Sequence, residues 1–325
     1  MADFSVIIPL YNCESSLCSL FDTLNKQQGE NFDVIFVEDK SSDKTLDKFE
    51  KNKHHIKFKY QLIKNAANYG PGISRNIGLE HSIGKYIVFL DSDDTISAET
   101  IQLLTNIINE CNSPDAIIFD YYMVCSNKKI KCDTIPNADE GFIKTNDAII
   151  YMTGATWCKV YKSEIIKQHN IKFPDMRTKE DFVFNKIALS YCETIYYKKV
   201  YLYNYIVNTN SVMNTTKLSG QKNAKKAFEI VERKINRKHF TAIEKLKVYE
   251  YLFASVQSML RMKKSSQCIK SFIGEFETET PSWHEQKNKL NNYTDIFLYF
   301  VKKRNILLLR IMIGVKDILK KILSI

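Results

Sequence analysis

The stretch that decides the fold is Tyr86–Asp94, YIVFLDSDD. Five apolar or aromatic residues in a row read as a strand buried on both faces, and the strand ends in three aspartates within four residues. Acids so close together repel one another at the edge of a core, so a cation is expected beside them. Hard carboxylate oxygens at a strand end suit Mg²⁺ or Mn²⁺, which take one or two carboxylates and complete their shell with water and substrate phosphate. A helix cap with solvated acids is the simpler alternative for a lone Asp-x-Asp.

Working outward, the same kind of segment recurs. FSVIIPL (4–10), FDVIFVED (32–39) and KFKYQLI (57–63) read as strands. Between them lie helical spacings at 14–27 and 43–52, and a third helix follows the turn Gly70-Pro71-Gly72. Apolar strands alternating with helices predict a mostly parallel, Rossmann-like sheet flanked by helices, an α/β fold. Ligands of such sheets bind beyond the carboxyl ends of the strands. Three polar clusters therefore converge on one edge: Pro9-Leu10-Tyr11-Asn12, Glu38-Asp39 and Asp91-Ser92-Asp93-Asp94. Further on come a helix at 98–111, a strand at 115–124, a polar excursion at 126–140, Glu180-Asp181 ahead of an apolar helix at 182–189, and strand-like segments in 194–207. From Leu218 the periodicity is helical.

The 325-residue chain carries a formal charge of +10, unevenly spread. From Lys217 onward 23 Lys and Arg face 10 Asp and Glu, whereas the first 216 residues hold 24 against 27. This predicts a boundary near 216, with residues 217–325 as a basic helical region and an anionic partner for it. At 100° per residue, Leu307, Leu308, Ile311, Met312, Val315, Ile318, Leu319 and Ile322 share one helix face, with Arg310, Lys316, Lys320 and Lys321 on the other. Residues 302–325 are thus expected either to bind an anionic membrane surface or to pack on protein, a homodimer partner included. No zinc-finger spacing or RNA-binding signature accompanies the basic third, so nucleic acid is not expected. Eight scattered cysteines without a C-x-x-C pair suggest neither zinc nor disulfides and a reducing, cytoplasmic setting. Neither a leader nor a membrane-spanning run is expected, so any membrane association would be peripheral, on the inner face.

SVIIPLYN, VEDKSSDKT, NAANYGPGISRNIGLEHSIGKYIVFLDSDD, WCKVYKSEII and KEDFVFN occur in an order and spacing that resemble inverting family 2 glycosyltransferases of the GT-A fold. The resemblance spans roughly residues 3–212. It implies a nucleotide-sugar half at about 1–97, an acceptor half at about 98–216, and a UDP-sugar donor. The acceptor it implies is a glycan or lipid-linked glycan, of the bacterial capsule or lipopolysaccharide kind. On this resemblance Pro9 and Tyr11 flank the uracil and Asp39 accepts its N3–H. Asn68, Arg75 and Asn76 stand near the phosphates at a helix N-terminus. Asp91 and Ser92 contact the donor, Asp93 joins Asp91 as metal ligand, and Asp94 is a cap or an acid behind them. Asp181 is the base that takes the acceptor proton, with Glu180 beside it, and Trp157 and Lys159 line the acceptor and sugar pocket.

The second strand ends in Glu38-Asp39 where the family commonly has Asp-Asp, and the stretch TNSVMN (209–214) lacks a late histidine that some members use for metal. Two other readings are a sugar nucleotidyltransferase, disfavoured because no Gly-rich basic loop follows the first strand, and a non-catalytic glycan- or membrane-binding module.

Overall fold

A computed structural model describes residues 3–29, 31–125, 128–207, 220–285 and 292–323. The first four strands, β1 (Phe4–Leu10), β2 (Phe32–Glu38), β3 (Lys59–Lys64) and β4 (Tyr86–Phe89), alternate with helices α1 (Leu17–Asn25), α2 (Thr45–Asn52) and α3 (Pro71–His81). They pair in parallel in the order β3-β2-β1-β4. β1 is buried along its whole length because helices cover both of its faces. β3, with the polar sequence KYQLIK, is largely exposed and closes that edge.

Two small residues set how closely the layers approach. A Cβ on Gly78 of α3 would lie 2.4 Å from Ile7 Cγ2, and one on Gly84 would lie 2.4 Å from the Ser5 backbone nitrogen. Ile7 is fully buried, so it cannot give way. α3 therefore lies flush on β1, and this closeness sets the height of the side chains that α3 carries toward the sheet edge.

Beyond β4 the sheet becomes mixed, with β6 and β10 parallel and the other pairings antiparallel. The short β5 (Thr95–Ile96) and helix α4 (Thr100–Glu110) lead into β6 (Ala116–Cys125), β7 (Lys128–Cys132), β8 (Gly141–Ile143) and helix α5 (Thr145–Tyr151). Then come β9 (Lys159–Lys162), α6 (Ser163–Gln168), α7 (Glu180–Ser190) and β10 (Ile195–Ile206). β9 enters antiparallel between β4 and β6, giving the order β3-β2-β1-β4-β9-β6-β10-β5, with β7 on β6 and β8 on β10. The polar excursion expected over 126–140 thus contains an edge strand. β7 has no apolar alternation to announce it, since its residues KKIKC are mostly exposed and it is held by backbone pairing to β6. The helix at 180–190 is buried almost all round, which masks helical periodicity in its sequence.

The chain divides into two compact units, Met1–His239 and Phe240–Ile325. Helix α8 (Gly220–Lys234) packs on α7 within the first unit, although it carries part of the basic excess. The second unit holds α9 (Phe240–Lys247), a π-helical turn at Val248–Phe253, and α10 (Ala254–Arg261). It continues with α11 (Ser266–Glu279), α12 (Asn292–Lys302) and α13 (Ile306–Leu323). α13 packs on α10 and α12 through Ile306, Leu309 and Ile313. The stripe Leu307, Ile311, Val315, Ile318 and Leu319 faces outward, each residue at least 50% exposed. On a 100° wheel the buried trio lies roughly opposite that stripe. The helix therefore uses its less apolar side for packing and leaves the apolar face free among the described residues. No helix among them is long and apolar enough to cross a membrane.

The fit of α3 on β1 yields a test. Gly78→Ala should destabilise the protein by about 1–3 kcal/mol, the usual cost of overpacking, despite the gain in helix propensity. Gly314→Ala on α13, where a Cβ meets nothing within 4 Å, should leave the melting temperature unchanged or raise it. Equal melting curves for Gly78→Ala and wild type would refute the close approach.

Candidate active site

The carboxyl ends of β1, β2 and β4 and the N-terminal ends of α3 and α7 meet at one edge. At the end of β1, Pro9 is buried in the sheet opposite Val37, while Tyr11 projects with 47% of its surface exposed. Asn12 turns the chain with a positive φ of 47° and takes the Ser42 amide on Oδ1 at 2.8 Å, which ties the β1 loop to the β2 loop. At the end of β2, Glu38 accepts the Ser41 amide at 2.6 Å and closes that turn.

Asp39 is almost wholly buried. Its Oδ1 accepts from Asn65 Nδ2 at 2.8 Å and from the Tyr69 amide at 2.9 Å, and Oδ2 accepts from the Gly70 amide at 2.7 Å. The carboxylate therefore shapes the 65–70 loop, with one bond accepted on Oδ2 and two on Oδ1. Asn68 reaches the Asp39 carbonyl at 3.3 Å and accepts from Arg177 at 2.9 Å. Gly70 has φ 88°, open to glycine at little cost, and Pro71 starts α3.

Arg75, one turn into α3, is buried and forks between two acids: Nη2 donates to Asp91 Oδ1 at 2.6 Å and Nη1 to Asp181 Oδ1 at 2.8 Å. The guanidinium also lies over the Phe173 ring, 5.4 Å from its centroid. Asn76, the next residue, exchanges two 2.8 Å bonds with the Phe173 backbone and so clips α3 to the segment leading into α7. That placement gives Asn76 a holding role in the protein, while Arg75 joins the strand-end acid to the acid on α7.

At the β4 end, Asp91 is half-buried, Ser92 stands against the Cys13 thiol, and Asp93 is exposed. Asp94 turns inward, accepting from the Tyr203 hydroxyl at 2.6 Å and the Ile206 amide at 2.7 Å. Burial, and then the nearby Asp91 and Asp93 charges, push Asp94 up to about 8, against the two hydrogen bonds it accepts. The reading of Asp94 as an acid behind the others matches this place. Among the described residues no group of three or more His, Cys, Asp or Glu gathers around one point as a ready metal cage. Asp93 and the free Oδ2 of Asp91 are the oxygens that could join a hard cation whose remaining ligands came from a substrate.

On α7, Glu180 is buried and Asp181 partly so. Burial and the neighbouring Asp181 push Glu180 up to about 7, against the pull of Arg75. Burial raises Asp181 as well, with Arg75 opposing it. Lys159 is fully buried, its ammonium on the Ala155 carbonyl and 3.4 Å from Cys158 Sγ, and burial lowers its pKa. Trp157 is a core residue: its ring stacks on Tyr203 with centroids 4.3 Å apart and meets the edge of Tyr121.

Two contributors escaped the sequence reading. Tyr203 bonds both Asp94 and, through its oxygen, the Asp91 amide at 3.2 Å. Phe173 serves both Arg75 and Asn76. The alternation Tyr201, Tyr203, Tyr205 was the available signal for the first, and nothing local marks the second. The stretch 209–214, which has no histidine, lies outside the described residues.

Comparison with known proteins bears on this edge. The model of "Glycosyl transferase family 2" matches residues 5–169. Staphylococcus aureus TarS (strain Mu50), a poly(ribitol-phosphate) β-N-acetylglucosaminyltransferase, is 31% identical over 191 residues, 58% of this chain and 32% of its own. A poly(ribitol-phosphate) β-glucosyltransferase of Bacillus spizizenii is 29% identical over 209 residues, 62% of this chain and 32% of its own. The chain thus spans about a third of the length of these two relatives. S. aureus TarP (strain N315), another poly(ribitol-phosphate) β-N-acetylglucosaminyltransferase, is 30% identical over 219 residues, 64% of either chain. Among solved structures, TarS 1–349 in complex with UDP-GlcNAc superposes with a TM-score of 0.75 at 21% identity, over 98% of this chain and 92% of that one. The likeness at that identity is one of fold, and it covers the curled mixed sheet and the helical region that follows it. The family match takes in every β4-edge acid and half of the sequence: the chain belongs to glycosyl transferase family 2.

Proposed function

We propose that the protein transfers a sugar from a UDP-sugar to a hydroxyl of a cell-surface polymer, with inversion at the anomeric carbon. The Arg75 fork is the observation that carries this reading. One buried guanidinium sets a strand-end acid on the donor side and an acid on α7 at opposite ends of a single cation. Donor carbon and acceptor hydroxyl would then meet between them. The UDP-GlcNAc complex of the TarS neighbour supports the donor class, and the names of the relatives support a polymer of the polyol-phosphate kind as acceptor.

In that reaction the acceptor oxygen bonds to the anomeric carbon as the carbon–oxygen bond to the diphosphate breaks. The hydroxyl proton passes to a carboxylate of the Glu180–Asp181 pair, with Asp181, the more accessible of the two, as the base. Burial raises its affinity for protons, which suits that step, and Arg75 opposes the rise. Asp39 offers its spare Oδ2 position to the uracil N3–H, and the exposed Tyr11 offers a ring face. Asp91 and Asp93 would hold Mn²⁺ or Mg²⁺ together with donor phosphate, and the ion would supply positive charge to the departing diphosphate. A neighbour of the same fold, a mannosyltransferase of Pyrobaculum calidifontis with GDP-Man and Mn²⁺, supports that choice of ion (TM-score 0.55).

The location proposed is the inner face of a membrane. The unit Phe240–Ile325 holds 15 Lys and Arg against 8 Asp and Glu. Together with the outward stripe of α13, this charge suits an anionic lipid surface.

Asp181→Asn should retain UDP binding and lose transfer by roughly 10²–10⁴-fold, the usual cost of a missing base; transfer within a few-fold of wild type would place the base elsewhere. The base works only when ionised, so the rate should rise with pH. Because burial raises both acids, Glu180 to about 7, the acid limb of kcat/KM should lie well above the ~4 of an ordinary carboxylate. Asp93→Ala should abolish the Mn²⁺ dependence of UDP affinity in calorimetric titration, and unchanged dependence would remove Asp93 from the ion. Full-length protein should sediment with anionic vesicles at low salt and be released as salt rises. A salt-insensitive oligomer that ignores vesicles would assign the stripe to a second copy instead.

A further inference from the structure

Hairpin β6–β7 carries a cationic, aromatic strip that the reaction above leaves unused. β7 is an edge strand paired only to β6, and Lys128, Lys129, Ile130 and Lys131 are exposed. Alternation puts Lys129 and Lys131 on one face. Lys129 Nζ lies 3.9 Å from the Tyr122 ring centroid and Lys131 Nζ 5.1 Å from that of Tyr201, and the two rings are 5.0 Å apart. The Tyr201 hydroxyl is fixed on Asp133 at 2.7 Å. Other lysines of this region are occupied, Lys198 by Glu140 and Lys199 by the Ala138 carbonyl. Among the described residues neither Lys129 nor Lys131 has a carboxylate within ion-pair distance.

The strip runs into the active edge. Lys131 pairs in register with Tyr122, Tyr122 with Asn204, and Asn204 with Thr95, the residue after Asp94. Three strand spacings separate Thr95 from Lys131, about 14 Å across the sheet. A chain with one hydroxyl at the carboxylate corner would lie along this row for several repeats.

Exposed lysines on an edge strand also discourage sheet-to-sheet association, and a scattered set would need no other account. Here the ammonium groups lie on tyrosine faces, two on one side, on a row of strands that leads to the acids. An anion satisfies such groups, and an uncharged polyol segment fits between them on the ring edges. We infer that the β6–β7 hairpin binds the phosphodiester backbone of an anionic polyol-phosphate acceptor, with Lys129 and Lys131 on phosphates and Tyr122 and Tyr201 on the polyol. The inference rests on the glycosyltransferase reading for the acceptor's role and stands separately as a binding site.

The test uses the full chain and a synthetic ribitol-phosphate oligomer, with inorganic polyphosphate as a plain polyanion. Lys129→Ala/Lys131→Ala should weaken binding of the ribitol-phosphate oligomer at least tenfold and flatten its salt dependence, with UDP affinity and slow UDP-sugar hydrolysis unchanged. Lys129→Arg/Lys131→Arg should restore most of the affinity, and Tyr122→Ala should weaken the oligomer more than polyphosphate. In transfer assays the double alanine variant should raise the KM for the oligomer and spare kcat. Binding and KM unchanged in the double variant would overturn the site, as would a variant that merely aggregates while binding normally. If wild type binds the oligomer through these lysines yet turns over no UDP-sugar, the enzymatic reading fails and the strip remains.

Discussion

The candidate site depends on the buried guanidinium of Arg75. A cation with no partner in such a place would be strongly unfavourable, and two carboxylates at 2.6 and 2.8 Å offset that desolvation. Each acid belongs to a different part of the chain, one at the end of β4 and one at the start of α7. The fork therefore makes the relative placement of the two halves a condition of keeping the charge inside. α3 cannot drift to relax it, because Gly78 lies against Ile7 and Asn76 is clipped to the Phe173 backbone.

Acid crowding follows from the same arrangement. Asp91, Asp93, Asp94, Glu180 and Asp181 outnumber Arg75 and Lys159 near this edge. Burial and the neighbouring acids push both Asp94, behind the corner, and Glu180, beside Asp181, upward. Asp91 and Asp93 lie nearer to water. Burial thus gives similar carboxyl side chains at one edge different affinities for a proton.

What was legible in the sequence follows from how local each cause is. β1, β2 and β4 and the helices between the strands could be read because each of those strands is buried on both faces and each helix shows its own period. The placement of Asp39, Arg75, Asp91 and Asp181 at one edge followed from strand ends and the family resemblance. The antiparallel insertion of β9 was hidden, since KVYK reads alike in either direction. β7 was hidden too, because backbone pairing alone makes it a strand. Phe173 lies 98 residues from Arg75 and meets it only through the fold. Asn76 looked like a phosphate contact for the same reason: a helix N-terminus advertises polar side chains without showing which are already engaged.

Helix α13 shows the limit of amphipathic reasoning most directly. The wheel locates an apolar face correctly and says nothing of which side the rest of the unit will cover. Three residues, Ile306, Leu309 and Ile313, suffice to seat the helix on α10 and α12. Arg310 and Lys316 serve that packed side, Arg310 on the Lys264 carbonyl at 2.7 Å and Lys316 over the Tyr293 ring. Charged residues thereby do work that an isolated helix would have assigned to leucines. The consequence is that burial within the unit and exposure of the apolar stripe are compatible, where the sequence alone posed them as alternatives. A helix held from one side by mixed contacts keeps its other side available, and the energetic reason to cover that side must come from outside the unit.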